Sequence, residues 1–99
     1  MRRGTTPKHI FETDIDLTTA AVIYLTYKQD GKTVLTKEKD ELEVEKDRLI
    51  ARLTQADTLM FSTSGNVNIQ IRARFPDGSA IASEIINTRA EAILKEGVI

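Results

Sequence analysis

The clearest pattern in the chain runs from Asn66 to Ile86. Val67, Ile69, Ile71, Ala73 and Phe75 alternate with Asn68, Gln70, Arg72 and Arg74. A period of two puts the first set on one face of a strand and the second on the other. Pro76-Asp77-Gly78 follows with turn chemistry: proline fixes φ, aspartate tolerates the next position, and glycine accepts φ > 0. A type I turn closed by a left-handed glycine makes a hairpin loop of those three residues with a bulge. Such a loop pairs Phe75 with Ser79, hence Ala73 with Ile81 and Ile69 with Ile85, and the apolar residues of both strands share one face. A shorter loop would turn Glu84 inward opposite Ile71 and is rejected. Val22, Ile69, Ile71 and Phe75 are the expected core.

Residues 1–7 read as a flexible arm, because Pro7 blocks helix. From His9 to Leu17, Phe11, Ile15 and Leu17 alternate with polar residues, which predicts a first strand at a sheet edge. Ala20 to Lys28 is rich in β-branched and aromatic residues and apolar on both faces, as suits an interior strand. Asp30-Gly31 is a strong short hairpin signal, with Thr33 to Lys37 as the return strand. Lys37 to Leu53 admits two readings. Leu42, Leu49, Ile50 and Leu53 sit near helical spacing. Alternatively, Leu42–Glu45 and Arg48–Leu53 are strands joined by Lys46-Asp47. Strands are preferred, because Leu42 and Val44 alternate with glutamates and Val44 and Ile50 are β-branched.

Thr54-Gln55-Ala56-Asp57 resembles a capping box, so one helical turn from Gln55 to Met60 should cross between sheets, with Phe61 as the anchor after it. Thr88-Arg89-Ala90-Glu91 is a second capping box. It predicts a short C-terminal helix through Lys95 that stops at Gly97, with Val98 and Ile99 as an apolar tail. About seven strands at turn spacings of about 8–12 residues predict an all-β fold. The expected architecture is an immunoglobulin-like antiparallel β-sandwich with that short C-terminal helix, as one domain over residues 1–99.

Composition adds exclusions. The net charge is −1, which gives no electrostatic case for nucleic-acid binding. The chain has no cysteine, so disulfides and thiolate metal sites are ruled out. No apolar run approaches the ~18–20 residues of a membrane span. The basic residues near Met1 have no apolar region behind them, so no signal peptide is read there and synthesis in a cytoplasm is expected.

Candidate chemistry is sparse. Ser62, Ser64, Ser79 and Ser83 lie in no nucleophile-elbow pattern, and His9 is the only histidine. No enzyme and no cofactor are expected. Asp14 and Asp16 flank Ile15 and project to one side of a strand, but calcium needs 6–8 oxygens. The plainer reading has Asp16 starting a turn. Arg72 and Arg74, with Arg48 and Arg52, could line one sheet face and meet an acidic partner. The plainer alternative is a polar face balanced by Glu43, Glu45 and Glu84. Val98 and Ile99 are the other candidate partner contacts, since an apolar pair past a helix stop is hard to bury on the same domain.

The run from Phe11 through Asp16-Leu17-Thr18-Thr19-Ala20-Ala21-Val22 resembles the opening of small immunoglobulin-like phage proteins. In these, an Asp-Leu-Thr turn leads into a strand that begins with a small residue and then valine. The N-terminal domain of upper baseplate proteins from phages of Gram-positive bacteria has this pattern. The hairpins at Lys28-Gln29-Asp30-Gly31-Lys32 and Arg74-Phe75-Pro76-Asp77-Gly78-Ser79 are similar to those of short prophage-encoded proteins of such hosts. The resemblance implies a structural component of a phage or prophage tail or baseplate. Its partners would be other phage structural proteins or itself, and its location the virion. In that family the domain heads a longer protein with host-contact modules. This sequence ends at Ile99, so no receptor-binding part is carried over. The alternative is a free-standing binding module, for instance for carbohydrate.

Overall fold

A computed structural model describes residues Met1–Ile99. The alternating segments become eight strands: β1 Lys8–Glu12, β2 Val22–Gln29, β3 Lys32–Glu38, β4 Glu43–Glu45, β5 Arg48–Arg52, β6 Val67–Arg74, β7 Ala80–Ala82 and β8 Ile86–Thr88. A 3-10 turn, Lys39–Glu41, precedes β4, and one short helix, α1 Gln55–Leu59, precedes β6. All pairing between the strands is antiparallel, in two sheets. The smaller has the order β1-β5-β4. The larger has the order β3-β2-β6-β7, with β8 also on β6.

Between Lys37 and Leu53 the chain forms the two short strands β4 and β5 joined at Lys46-Asp47, as the alternation of Leu42 and Val44 with glutamates predicted, with the 3-10 turn ahead of them. The Asp30-Gly31 hairpin forms with φ of 53° and 74° at those two residues. Both values are positive, as the turn that best matches strand twist requires. Thr54 caps α1: its side chain accepts from the Asp57 N–H, and the Asp57 carboxylate accepts from the Thr54 N–H. The helix carries the chain from the small sheet to the large one and delivers Phe61, 1% exposed, into the core.

Both sheets feed one cluster of buried side chains. Ile23, Leu25 and Tyr27 of β2 and Val67, Ile69, Ile71 and Ala73 of β6 meet Leu49 and Ala51 of β5. Ile69 and Ile71 are therefore core, as expected. Val22 and Phe75 are only half-buried. Val22 lies opposite Arg74 on the outer face, and Ile23, opposite Ala73, takes the inner position. The phase of β2 also brings Gln29 inward. Its amide donates to the Ser62 and Ser64 carbonyls and accepts from the Ser62 N–H, so it is satisfied where burial demands it.

The main hairpin keeps its expected register near the turn. Phe75 N–H donates to the Ser79 carbonyl, Gly78 has φ of 89°, and Ala73 faces Ile81. Further along, Ile69 faces Ile86 and not Ile85. The strand takes up one extra residue at Ser83–Ile85, a bulge. Ser83 holds it, accepting the Ile71 N–H at its hydroxyl (3.0 Å) while its own N–H donates to the Ile71 carbonyl (2.8 Å).

The expected C-terminal helix does not form. Residues 89–99 contain only an isolated bridge, in which Arg2 runs parallel to Glu91. Glu91 N–H donates to the Met1 carbonyl and Arg3 N–H to the Glu91 carbonyl. The Glu91 carboxylate pairs with Arg2 at 2.6 Å, so it is not spent on capping Thr88. The same contacts tie down the expected free arm. Arg3 donates to the Phe61 and Leu59 carbonyls and pairs with Glu96.

Candidate functional site

The two sheets are joined along one side and open along the other. On the joined side the chain passes from β3 through the 3-10 turn straight into β4. On the open side lie the outer strand of the small sheet, β1, and the outer strands of the large one, β7 and β8. Between them is a groove of about 900 Å³. Phe11, Leu17, Ile71, Ile81 and Ile86 supply apolar lining, and Glu12, Asp14 and Glu84 supply carboxylates.

The groove exists because the large sheet reaches further than the small one covers. Ile81 and Ile86 face Ala73 and Ile69 and so belong to the inner face of the large sheet. Ile81 is only half-buried and Ile86 is 40% exposed, because no strand of the small sheet lies over them. The bulge at Ser83–Ile85 contributes to the rim by throwing Ile85 outward, 60% exposed.

The β1 wall of the groove is a true edge. Thr13 N–H donates to the Asp47 carbonyl, and Leu53 N–H to the Pro7 carbonyl. These two bonds fix the phase of the ladder: odd-numbered residues of β1 bond to β5. The N–H and carbonyl of Lys8, Ile10 and Glu12 therefore point away from the sheet. The Thr13 hydroxyl, in the same wall, is buried without a hydrogen-bond partner. Glu12, Asp14 and Glu84 take part in no ion pair, and no lysine or arginine lines the groove.

The residues singled out from the sequence do not converge here. Arg48 and Arg52 lie on the small sheet, paired with Glu45, Asp47 and Glu43. Arg72 and Arg74 lie on the outer face of the large sheet, with Tyr24 directly opposite Arg72. They have no carboxylate partner, so neither a single arginine face nor its balancing by Glu43, Glu45 and Glu84 occurs. Asp16 starts a turn, its carboxylate accepting from the Thr18 N–H and hydroxyl, which holds its pKa below the usual range. Asp14 goes to the groove. The side chains of Val98 and Ile99 are exposed, while the Gln55 amide holds the Ile99 backbone. Leu94 is fully exposed.

His9 is not at a loose end. Its Nδ1 lies 2.7 Å from the hydroxyl of the inaccessible Tyr27, and burial lowers its pKa. Burial, with the nearby Asp57 charge, pushes the Tyr27 hydroxyl far above its ordinary value. Asp57 is opposed by burial too, but the Thr54 N–H and Lys37, 3.1 Å away, outweigh it and lower its pKa. Glu38, Asp40 and Glu41 bring three exposed carboxylates together, but Glu38 and Glu41 are engaged in a capping box of the 3-10 turn.

The groove was missed in the sequence, although Ile81, Ile85 and Glu84 were all placed on the correct hairpin. Its signal was the odd apolar pair Ile85-Ile86, which cannot both face inward on a regular strand. No helix is long and apolar enough to cross a membrane. Comparison with models of known protein families, with curated proteins and with solved structures gave no match.

Proposed function

We propose that this chain is a non-catalytic association module that works through its open side, as a structural component of a phage or prophage tail or baseplate. The observation that carries the reading is the uncovered inner face of the large sheet at Ile81 and Ile86, beside the free edge of β1. Apolar surface next to unpaired strand edges is a surface for contact with another polypeptide. On this reading the architecture is an immunoglobulin-like sandwich with one layer incomplete. The shared core and a shortest extent of 17 Å, room for two layers about 10 Å apart, support it. The phage context rests on the likeness of the Phe11–Val22 run to the opening of small immunoglobulin-like phage proteins and of the two hairpins to short prophage-encoded proteins; on this reading the protein is a virion component. A carbohydrate-binding role has less support: only Tyr24 among the five aromatic residues is exposed.

The test is to induce the prophages of the source strain and purify tail particles by density. The chain, followed by mass spectrometry, should band with the particles at a fixed ratio to a major tail protein. Recovery only in the particle-free fraction, at the sedimentation rate of a monomer, overturns the assignment.

A further inference from the structure

We infer that the groove accepts an extended segment of another protein, one that alternates aliphatic with lysine or arginine residues and pairs as an added strand along β1. The inference rests on the association reading above and names the partner's chemistry. The outward N–H and carbonyl groups of Ile10 and Glu12 offer a ladder to an incoming strand. A strand seated there extends the small sheet by one position, and its inward side chains fall over Ile81 and Ile86. The missing part of the second layer is thereby supplied.

Alternation then sets the sequence of the occupant. Inward positions meet Ile71, Ile81 and Ile86 and must be aliphatic. Outward positions run beside Lys8, Ile10 and Glu12 of β1, with Glu84 and Asp14 at the rim of the groove. These three carboxylates have no cationic partner in the chain. They favour lysine or arginine outward and repel glutamate or aspartate. The exposed C-terminal tail of a second copy does not satisfy this pattern. Placing Leu94 and Val98 inward turns Glu96 inward as well, and the other phase turns Lys95 inward. That tail is therefore not the occupant, and the unpaired carboxylates point to a partner protein that carries the cations.

The test uses the full chain and a capped peptide of about eight residues, the length of an ordinary strand, alternating valine and lysine. Controls are the valine–glutamate counterpart and a valine–lysine peptide methylated on alternate backbone nitrogens. Binding is followed by amide chemical-shift changes and by calorimetry. The valine–lysine peptide should bind, with shifts at Ile10, Glu12, Ile81 and Ile86, and both controls should bind at least about tenfold more weakly. Ile10→Pro removes an outward N–H without touching the β5 ladder, as edge strands tolerate, and should abolish binding. Should that variant unfold, Ile86→Lys, at an exposed position, places a cation in the groove and should have the same effect. Equal binding of both charge types, undiminished binding by folded Ile10→Pro, or no binding at millimolar peptide overturns the inference. So does concentration-dependent dimerisation of the chain alone that Ile86→Lys removes, since the occupant is then a second copy. Failure here with the chain still banding in tail particles leaves the association reading standing. Peptide binding without particle incorporation removes the phage assignment and leaves the groove.

Discussion

Tyr27 is inaccessible to solvent, so its hydroxyl must find a partner inside the protein, and His9 Nδ1 is that partner. A neutral imidazole can accept the hydroxyl proton. A protonated one offers only donors, and the Tyr27 hydroxyl then loses its acceptor. Burial already sets the folded pKa of His9 below its ordinary value. The unfolded chain, with His9 near pKa ~6.5, takes up the proton first as pH falls. Stability from this pair is thus complete above about pH 6.5 and declines as the pH drops through and below that value. Urea denaturation between about pH 5 and 8 should show this loss, and His9→Gln should flatten it. Asp57 acts in a separate window. Its folded pKa is lowered, so its stabilising contribution is present above about pH 4 and is lost on further acidification. A His9→Gln variant with an unchanged slope above about pH 5 would show that another group is responsible.

The main hairpin shows what can be read at the scale of an element and what cannot. The turn was legible because Pro76, Asp77 and Gly78 each impose a local backbone preference. The pairing near the turn followed from it. The bulge was not legible. It depends on one serine hydroxyl standing in for a backbone carbonyl at the Ile71 N–H, and hydrophobic periodicity carries no record of such a substitution. Similarly, the capping box at Thr88–Glu91 is a genuine local signal that lost to a distant partner, the strand-like contact with residues 1–3. Two substitutions separate the local from the specific contribution. Gly78→Ala meets no atom within 4 Å, so its cost is backbone strain alone, about 1 kcal/mol. Ser83→Ala leaves the part-buried Ile71 N–H without its acceptor and should cost about 1–3 kcal/mol. It should also raise hydrogen exchange at Ile71, whereas Gly78→Ala should not. Equal protection of Ile71 in both variants would mean that the serine does not hold the bulge.

Across the whole molecule, the all-β class and most strands followed from alternation, yet the groove did not, because it arises from a difference in width between two sheets. Strand number per sheet is set by long-range pairing, and the Ile85-Ile86 pair marks an irregular strand without telling whether a strand of the other sheet covers it. The two chain ends pose a matching question of what each contributes. Residues 1–5 are woven in. Arg3 reaches the Phe61 and Leu59 carbonyls, the Thr5 N–H donates to the buried Thr58 hydroxyl, and that hydroxyl donates to the Thr5 carbonyl. Deleting residues 1–5 takes Arg3 from the Phe61 and Leu59 carbonyls and Thr5 from the buried Thr58 hydroxyl. The expected cost is about 2–4 kcal/mol, because several part-buried polar groups lose their partners together. Val98 and Ile99, by contrast, expose most of their side chains and are held only through Gln55. Deleting those two should change stability by under about 0.5 kcal/mol, as for surface changes generally. Chemical denaturation of both truncations, with hydrogen exchange at residues 58–61, decides the matter. The first should lose protection there and the second keep it. A destabilising tail deletion, or a harmless N-terminal one, would reverse the assignment of which end belongs to the fold.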